Sequence, residues 1–259
     1  KIIFLQRAPD KNKTVGEYSF FSLEDSINPE IFKNADVLVH CAYDPTPITW
    51  KKIEEINVQG AIRLFQAALD GGIKQIIYIS SMSAFDNCKS LYGQAKLAIE
   101  KELTKLGEGG IIIRPGLIFG GHLGGFLSAV KSFATRLPLI PLIGSGDQIL
   151  HFSNIEDLCE LIFKLTSNPN LAPCMPIMAA CEKGKPFKEI VKLLAHQENK
   201  SPLLIPMPWQ IAWLGLKALE WSGIRIGFRS DSIVGLVHYN PYPDFNTLKG
   251  IGLSFRNFD

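Results

Sequence analysis

The spacing in this chain best suited to chemistry is Tyr92-Gly93-Gln94-Ala95-Lys96, with Ser80 and Ser81 twelve and eleven residues upstream. On a helix, residues i and i+4 share a face, so a phenol and an ammonium so placed can reach one common point. A free tyrosine, with a pKa of ~10, is a poor base at neutral pH. A nearby cation favours the phenolate, and lowering the pKa by ~2–3 units takes about 3–4 kcal/mol of differential stabilisation. Such a group can give a proton to a carbonyl oxygen during hydride transfer, or withdraw one from an alcohol in reverse. A serine at a strand end can hydrogen-bond and orient the same oxygen. Tyr92 and Lys96 could also simply ride on a surface helix. Of the six tyrosines, however, only Tyr92 has a lysine four residues on, and it follows an apolar strand that ends in serines.

Those residues need a helix over Leu91–Leu106, ended by Gly107–Gly110, and a strand over Lys74–Ser80. Further strands are expected at Ile2–Gln6, Tyr18–Leu23, Asp36–Tyr43 and Ile111–Arg114. Between them, Thr49–Leu69 places Ile53, Ile56, Ala61, Leu64, Phe65 and Ala68 at helical spacing, and Gly71-Gly72 stops it. Near-continuous apolar strands alternating with helices predict an α/β fold with a doubly wound parallel sheet, covered on both faces. After Pro115 the texture changes, with glycine-rich Gly120–Gly125 read as a flexible loop and prolines and glycines through Leu137–Gly146. A helix over Asn154–Thr166 and a strand over Pro176–Ala180 return to the sheet. Helices follow near Phe187–Ala195, Trp209–Ser222 and Asp231–Val237. The expected organisation is a sheet domain of residues 1–115 joined by 150–180, and a smaller interleaved lobe of 116–149 and 181–259.

With 46% hydrophobic and 20% charged residues, the 259-residue chain has a globular composition. A net charge of +2 gives no footprint for nucleic acid or a polybasic membrane contact. No uninterrupted apolar run reaches ~18 residues, so no transmembrane segment is expected. Five widely spaced cysteines (Cys41, Cys88, Cys159, Cys174, Cys181) with no CxxC pair argue against a disulfide framework or a zinc site. They read as small buried hydrophobes in a reducing, cytoplasmic protein.

Several segments together carry a family resemblance: DVLVHCAY (Asp36–Tyr43), Asn57-Val58-Gln59-Gly60, IIYISSMSAF (Ile76–Phe85), the Tyr92/Lys96 pair, IIIRPGLIFGG (Ile111–Gly121) and Asn154–Leu158. The sequence resembles the short-chain dehydrogenase/reductase superfamily, in its extended, NAD-dependent epimerase/dehydratase-like branch. The resemblance implies a Rossmann-like sheet binding NAD(P) and a small-molecule substrate, plausibly a nucleotide sugar. It implies Ser81, four residues before Phe85, as the carbonyl-polarising hydroxyl, with Ser83 the next choice. Tyr92 becomes the acid/base, and Lys96 both lowers its pKa and holds the nicotinamide ribose. Asn57 would support a helix kink and a proton relay, or else serve as a helix-interior residue bonding the backbone. His40 (through its backbone), Cys41, Ala42 and Pro115 would line the cofactor with Tyr92 and Lys96. Asp157 is either part of the site or a favourable acidic residue at a helix start. Dimers through Thr49–Leu69 and Leu91–Leu106 are also implied.

The departures concern both ligands. The family opens with a strand, a glycine-rich turn and a helix that cradles the pyrophosphate, and no such motif stands near Lys1. The strand ending at Gln6-Arg7 matches the family's second, so a further unit of about 30 residues upstream is expected. An arginine at that strand end suits a 2′-phosphate, and Arg7 therefore leans towards NADP; an ordinary solvated cation is the alternative. Leu117 and Leu150 stand where the family's diphosphate-binding asparagine and arginine often lie, with Lys131, Arg136 or His151 as substitutes, and Ser22 replaces a frequent aspartate near the adenine. The helix Pro206–Ser222, with Trp209, Trp213, Leu216 and Leu219, would pack on the sheet domain or roof the pocket, or else touch lipid or a partner. Two functions result: an NAD(P)-dependent oxidoreductase or epimerase, or a non-catalytic dinucleotide-binding subunit. The intact Ser81, Tyr92 and Lys96 set favours the enzyme.

Overall fold

A computed structural model describes residues 2–7, 16–107, 109–121, 125–171, 173–224 and 229–258. The chain divides into two compact units, Lys1–Ser80 with Ala95–Ile112, and Ser81–Gln94 with Ile113–Asp259.

In chain order the first elements are β1 (Ile3–Gln6), β2 (Glu17–Phe20), β3 (Val37–His40), α1 (Trp50–Ile53), a π-helical turn (Glu54–Val58), α2 (Gln59–Asp70), β4 (Gln75–Ile79), α3 (Leu91–Lys105) and β5 (Gly110–Pro115). β1 pairs with β2 in parallel, Ile3 opposite Glu17, and β3 pairs with β4 in parallel, Val37 opposite Gln75. All five residues of β4 are buried, as a parallel strand covered on both faces requires. α2 turns Ala61, Leu64, Phe65 and Ala68 inward, and Gly60 at its start lies so close to Leu23 that a Cβ would stand 2.5 Å from the Leu23 carbonyl oxygen. Only glycine fits there.

The later elements are β6 (Leu117–Phe119), α4 (Gly125–Arg136), β7 (Leu139–Ile143), β8 (Ile149–Leu150), β9 (Phe152–Asn154), α5 (Ile155–Ser167), β10 (Ile177–Ala179), β11 (Lys185–Pro186), α6 (Phe187–His196), β12 (Leu203–Met207), α7 (Trp209–Trp221), α8 (Ser230–Val237) and α9 (Asn246–Ile251). A four-stranded parallel sheet runs in the order β10-β5-β4-β3, and the remaining ladders are the pairs β1-β2, β6-β9, β7-β12 and β8-β11. The α/β parallel fold expected from the alternating pattern is therefore present.

The second unit's core packs Leu127, Val130, Phe152, Ile190, Leu194, Leu236 and Phe258 together, with the Phe152 and Phe258 rings stacked at 4.4 Å. Its short strands β6 to β9, β11 and β12, and the helices α4 and α9, were not foreseen, because two- to five-residue strands leave too short a periodicity to read. The expected loop Gly120–Gly125 falls partly on residues outside those described. Gly120 and Gly121 have φ of 100° and 62°, while Gly125 already opens α4. The cysteine expectation needs correction: all five are free, but Cys41, Cys159 and Cys174 are exposed and only Cys88 is buried. Among the described residues no helix is long and apolar enough to cross a membrane.

At the end of β3, His40 sits in the first unit's core. Its ring stacks on Tyr78 at 5.6 Å and meets Phe65 edge-on at 5.5 Å. Burial, seconded by the Lys96 ammonium, pulls its pKa down from 6.5 to about 3. The imidazole is neutral, and its Nε2 finds no hydrogen-bond partner. Because the unfolded chain protonates first as pH falls, His40 contributes stability that is complete above pH 6.5 and is lost towards pH 3. Denaturant unfolding at pH 7 and 4.5 should show the native chain losing on the order of 2 kcal/mol more than His40→Phe over that interval. Equal losses would mean the ring is not buried neutral.

Candidate active site

α3 carries Tyr92 in its first turn and Lys96 one turn later. In the first unit, Lys96 is 3% exposed, and its Nζ donates to the Ile79 carbonyl at 2.9 Å, at the last residue of β4. The ammonium also stands over the rings of Tyr78 (4.9 Å) and Tyr43 (5.3 Å), the arrangement that cation–π attraction favours. Burial lowers its pKa from 10.5 to about 8, against the pull of Cys41 and Glu100.

Asn57 lies in the π-helical turn, a local widening that often marks functional sites. Its Oδ1 accepts from the Asp44 backbone N–H at 2.6 Å, and its Nδ2 donates to the Asp44 carbonyl at 3.0 Å. Both ends of the amide thus clamp the segment that continues from His40, Cys41 and Ala42, so Asn57 holds backbone as well as shaping the helix. Arg7 stands at the end of β1 with its guanidinium 3.4 Å from Asp44 and 3.6 Å from Glu24. It is therefore shared by two carboxylates rather than left as a lone cation.

In the second unit, the Ser81 side chain interacts with the Tyr92 phenol in a way that favours the phenolate. Burial pushes the Tyr92 pKa up, and the Ser81 bond opposes that. The lowering expected from Lys96 is overturned: the pKa is raised, because desolvation of the phenolate outweighs the one opposing influence, the Ser81 hydroxyl. The Ser81 turn is fixed by the Met82 N–H bonding to the buried Pro115 carbonyl (2.9 Å) and by the Ser83 N–H donating to Ser81 Oγ (3.1 Å). Ser83 is thereby a support for Ser81 through its backbone. Gly93 lies against this turn so closely that a Cβ would come 2.2 Å from the Ser83 carbonyl oxygen. Ser80 does not face Tyr92's task at all: its hydroxyl donates to the Glu100 carboxylate.

Sequence reasoning missed one residue that positions Tyr92. Asp231, in the first turn of α8, accepts from the backbone N–H of Leu91 (2.7 Å) and of Tyr92 (3.0 Å). It caps the start of α3 from 139 residues away, where the helix dipole favours a carboxylate. α8 is itself capped by Glu220 of α7, which accepts from the Ser230 N–H and Oγ at 2.8 Å each. An acidic residue near a helix start is no signal in sequence when its partner helix lies so far off.

Around the expected substrate positions, Leu117 and Leu150 pack against the second unit's apolar core. Two of the three suggested substitutes are engaged: Lys131 pairs with Glu198 at 2.7 Å, and His151 Nδ1 meets the Cys181 carbonyl at 3.0 Å, while Arg136 lies exposed at the end of α4. Asp157 is a tether rather than a free site carboxylate, since it accepts from Arg256 N and Nε at 2.7 and 2.8 Å while Asn154 caps α5. On α7 the arc Trp209, Trp213, Leu216 and Leu219 is half-buried, and Ile211, Leu214 and Trp221 face solvent. Among the described residues no His, Cys, Asp and Glu cluster could hold a metal.

Residues 21–177, well over half of the chain, match the model of the NAD dependent epimerase/dehydratase family. The chain belongs to that family. Among curated relatives, a UDP-glucose 4-epimerase of Vibrio cholerae is 27% identical over 202 residues, covering 68% of this chain and 61% of its own. A ceramide reductase of Caulobacter vibrioides is 25% identical over 205 residues, covering 79% of this chain and 62% of its own. The chain thus spans about three fifths of the length of these relatives. Among solved structures, MoeE5 in complex with UDP-glucuronic acid and NAD superposes with a TM-score of 0.73 at 17% identity, over 99% of this chain and 86% of its own. That likeness establishes the Rossmann-type fold shared with the epimerase/dehydratase family.

The remote cap gives a direct test. Asp231→Ala should cost about 1 kcal/mol of stability and accelerate amide hydrogen exchange at Leu91 and Tyr92, with Asp231→Asn doing less of both. Unchanged exchange at those two amides would show that the cap is not held in solution.

Proposed function

We propose that the protein is an NAD(P)-dependent oxidoreductase or epimerase that moves hydride at a hydroxyl-bearing or keto carbon of a small substrate. The observation that carries this reading is the Ser81 hydroxyl bonded to the Tyr92 phenol, on a helix whose next turn buries the Lys96 ammonium. The donor set suits a nicotinamide dinucleotide: Lys96 is a buried cation near strand ends, with ring faces of Tyr43 and Tyr78 beneath it and Cys41 beside it. Cys41 and Ala42, at the C-terminal end of a parallel strand, stand where such folds take their ligands. When bound, the nicotinamide supplies or accepts the hydride.

The residues handle the oxygen. Tyr92, kept protonated by burial, is in the form that gives a proton to a developing alkoxide. Ser81 orients the reacting oxygen through the same hydroxyl that now meets Tyr92. Lys96 supplies the positive charge that stabilises the phenolate left behind. Reversal takes the proton back and oxidises an alcohol.

For the substrate, a nucleotide sugar follows the named epimerase and the UDP-sugar complex. The apolar packing of Leu117 and Leu150 forgoes the charge-assisted bonds a diphosphate would take. It therefore keeps two alternatives in play: a ketone or alcohol without a diphosphate, and a non-catalytic dinucleotide-binding subunit. For the cofactor, Arg7 supports NADP, and a 2′-phosphate there must displace its weak, solvent-screened contacts with Glu24 and Asp44.

The test screens nucleotide sugars and ketones with NADH and NADPH. Tyr92→Phe should lower turnover by roughly 10²–10⁴-fold while leaving cofactor affinity unchanged; undiminished turnover in that variant refutes the mechanism. Arg7→Ala should weaken NADPH more than NADH. Cofactor binding without turnover on any substrate would favour the non-catalytic reading.

A further inference from the structure

One buried carboxylate is used by nothing above. Glu100 is 3% exposed, one turn beyond Lys96 on α3, so that Tyr92, Lys96 and Glu100 follow one another at four-residue intervals along a single helical face. Its carboxylate accepts the hydroxyl of Ser80, itself 3% exposed at the end of β4. A buried carboxylate is costly without such a donor, and one hydroxyl bond repays only part of that cost. A carboxylate retained there needs a cation in electrostatic reach, and Lys96 is one helical turn away.

We propose that Glu100, held by Ser80, is a positioning residue that keeps Lys96 in its charged form for the proposed reaction. This rests on the functional reading given above and extends it to the control of the lysine's charge. The serine doublet then divides its work: Ser81 meets Tyr92, and Ser80 orients the counter-ion of Lys96.

Several groups among the described residues face Lys96. From β3 and the segment after it come His40, Cys41 and the Tyr43 ring; from β4, the Tyr78 ring and the Ile79 carbonyl; from α3 itself, Glu100, with Tyr92 a turn away. His40 is neutral in the physiological range, so it contributes no opposing charge there. Desolvation favours the uncharged amine, and Cys41, then Glu100, act against it. Of these two, Cys41 is exposed, whereas Glu100 is buried on the same helical face as Lys96 and held by Ser80.

The test follows Lys96 in the full-length protein by NMR of ε-labelled lysine, assigned with Lys96→Met. Glu100→Gln, near-isosteric and still able to accept from Ser80, should move the Lys96 titration midpoint down by about one pH unit. The alkaline limb of turnover should move with it. Glu100→Asp should restore part of the shift, and Ser80→Ala should give a smaller shift in the same direction. A folded Glu100→Gln protein with an unmoved midpoint overturns the proposal, as does a loss of stability with an unchanged pH profile. The midpoint is read without substrate. A failed Tyr92→Phe test would therefore remove the functional reading while leaving this measurement to decide the Glu100–Lys96 coupling.

Discussion

The constraint on which the candidate site depends is the burial of one ammonium. Below pH 8 Lys96 is charged in both folded and unfolded chains, and burying that charge costs ~3 kcal/mol, from a pKa drawn down from 10.5 to about 8. The sign follows from proton binding: between those values the unfolded chain holds more protons, so the cost is relieved only as pH rises through that window. A fold tolerates such a cost only when the surroundings offset it. Here they consist of a carbonyl at the end of β4, two tyrosine ring faces and a carboxylate one helical turn away. Each contact requires β3, β4 and α3 to be in register, so the parallel pairing of His40 with Tyr78 is part of the lysine's environment as well as of the sheet.

Around Tyr92 the same logic works through backbone. Gly93 is there because any side chain would collide with the Ser83 carbonyl, and that close approach puts the Ser81 turn against the first turn of α3. Pro115 fixes the turn from one side, by accepting from Met82, and Asp231 fixes the helix start from the other. None of these residues needs to touch a substrate to matter. They hold the Ser81 turn and the first turn of α3 in place through backbone contacts alone, the preorganisation that the proposed chemistry calls for.

Much of this was legible in sequence, and the reason is periodicity. The buried strand Gln75–Ile79, the helix Gln59–Asp70 with Ala61, Leu64, Phe65 and Ala68 turned inward, and the i, i+4 pair on α3 all repeat with the spacing of their elements. Tyr92 and Lys96 stand out because chemistry and spacing coincide, whereas only the family resemblance prefers Ser81 to Ser80. What escaped has no local signature. β6 to β9 are two to five residues long, and α4 follows a glycine-rich run that suggested only a loop. Asp231 and Glu100 looked like ordinary acidic residues on helices. One is a cap and the other a buried counter-ion only because chain segments 140 and 20 residues distant close on them.

The same reasoning explains why the fold speaks more clearly than the substrate. A buried lysine demands specific neighbours, and here they come from β3 and the segment after it, β4 and α3. The substrate side imposes no such demand at Leu117 and Leu150, where apolar packing satisfies the core equally well whether or not a ligand lies beyond it. Leucine at these positions is thus informative by what it excludes: it cannot donate to a phosphate oxygen or neutralise its charge. A diphosphate bound in this chain would have to draw its donors from elsewhere, and Lys131 and His151 are already engaged by Glu198 and Cys181. Recruiting either means breaking a contact the fold now makes. The chemistry proposed at Tyr92 makes no such demand, so the proposed proton transfer and the identity of its substrate are separable properties of this sequence.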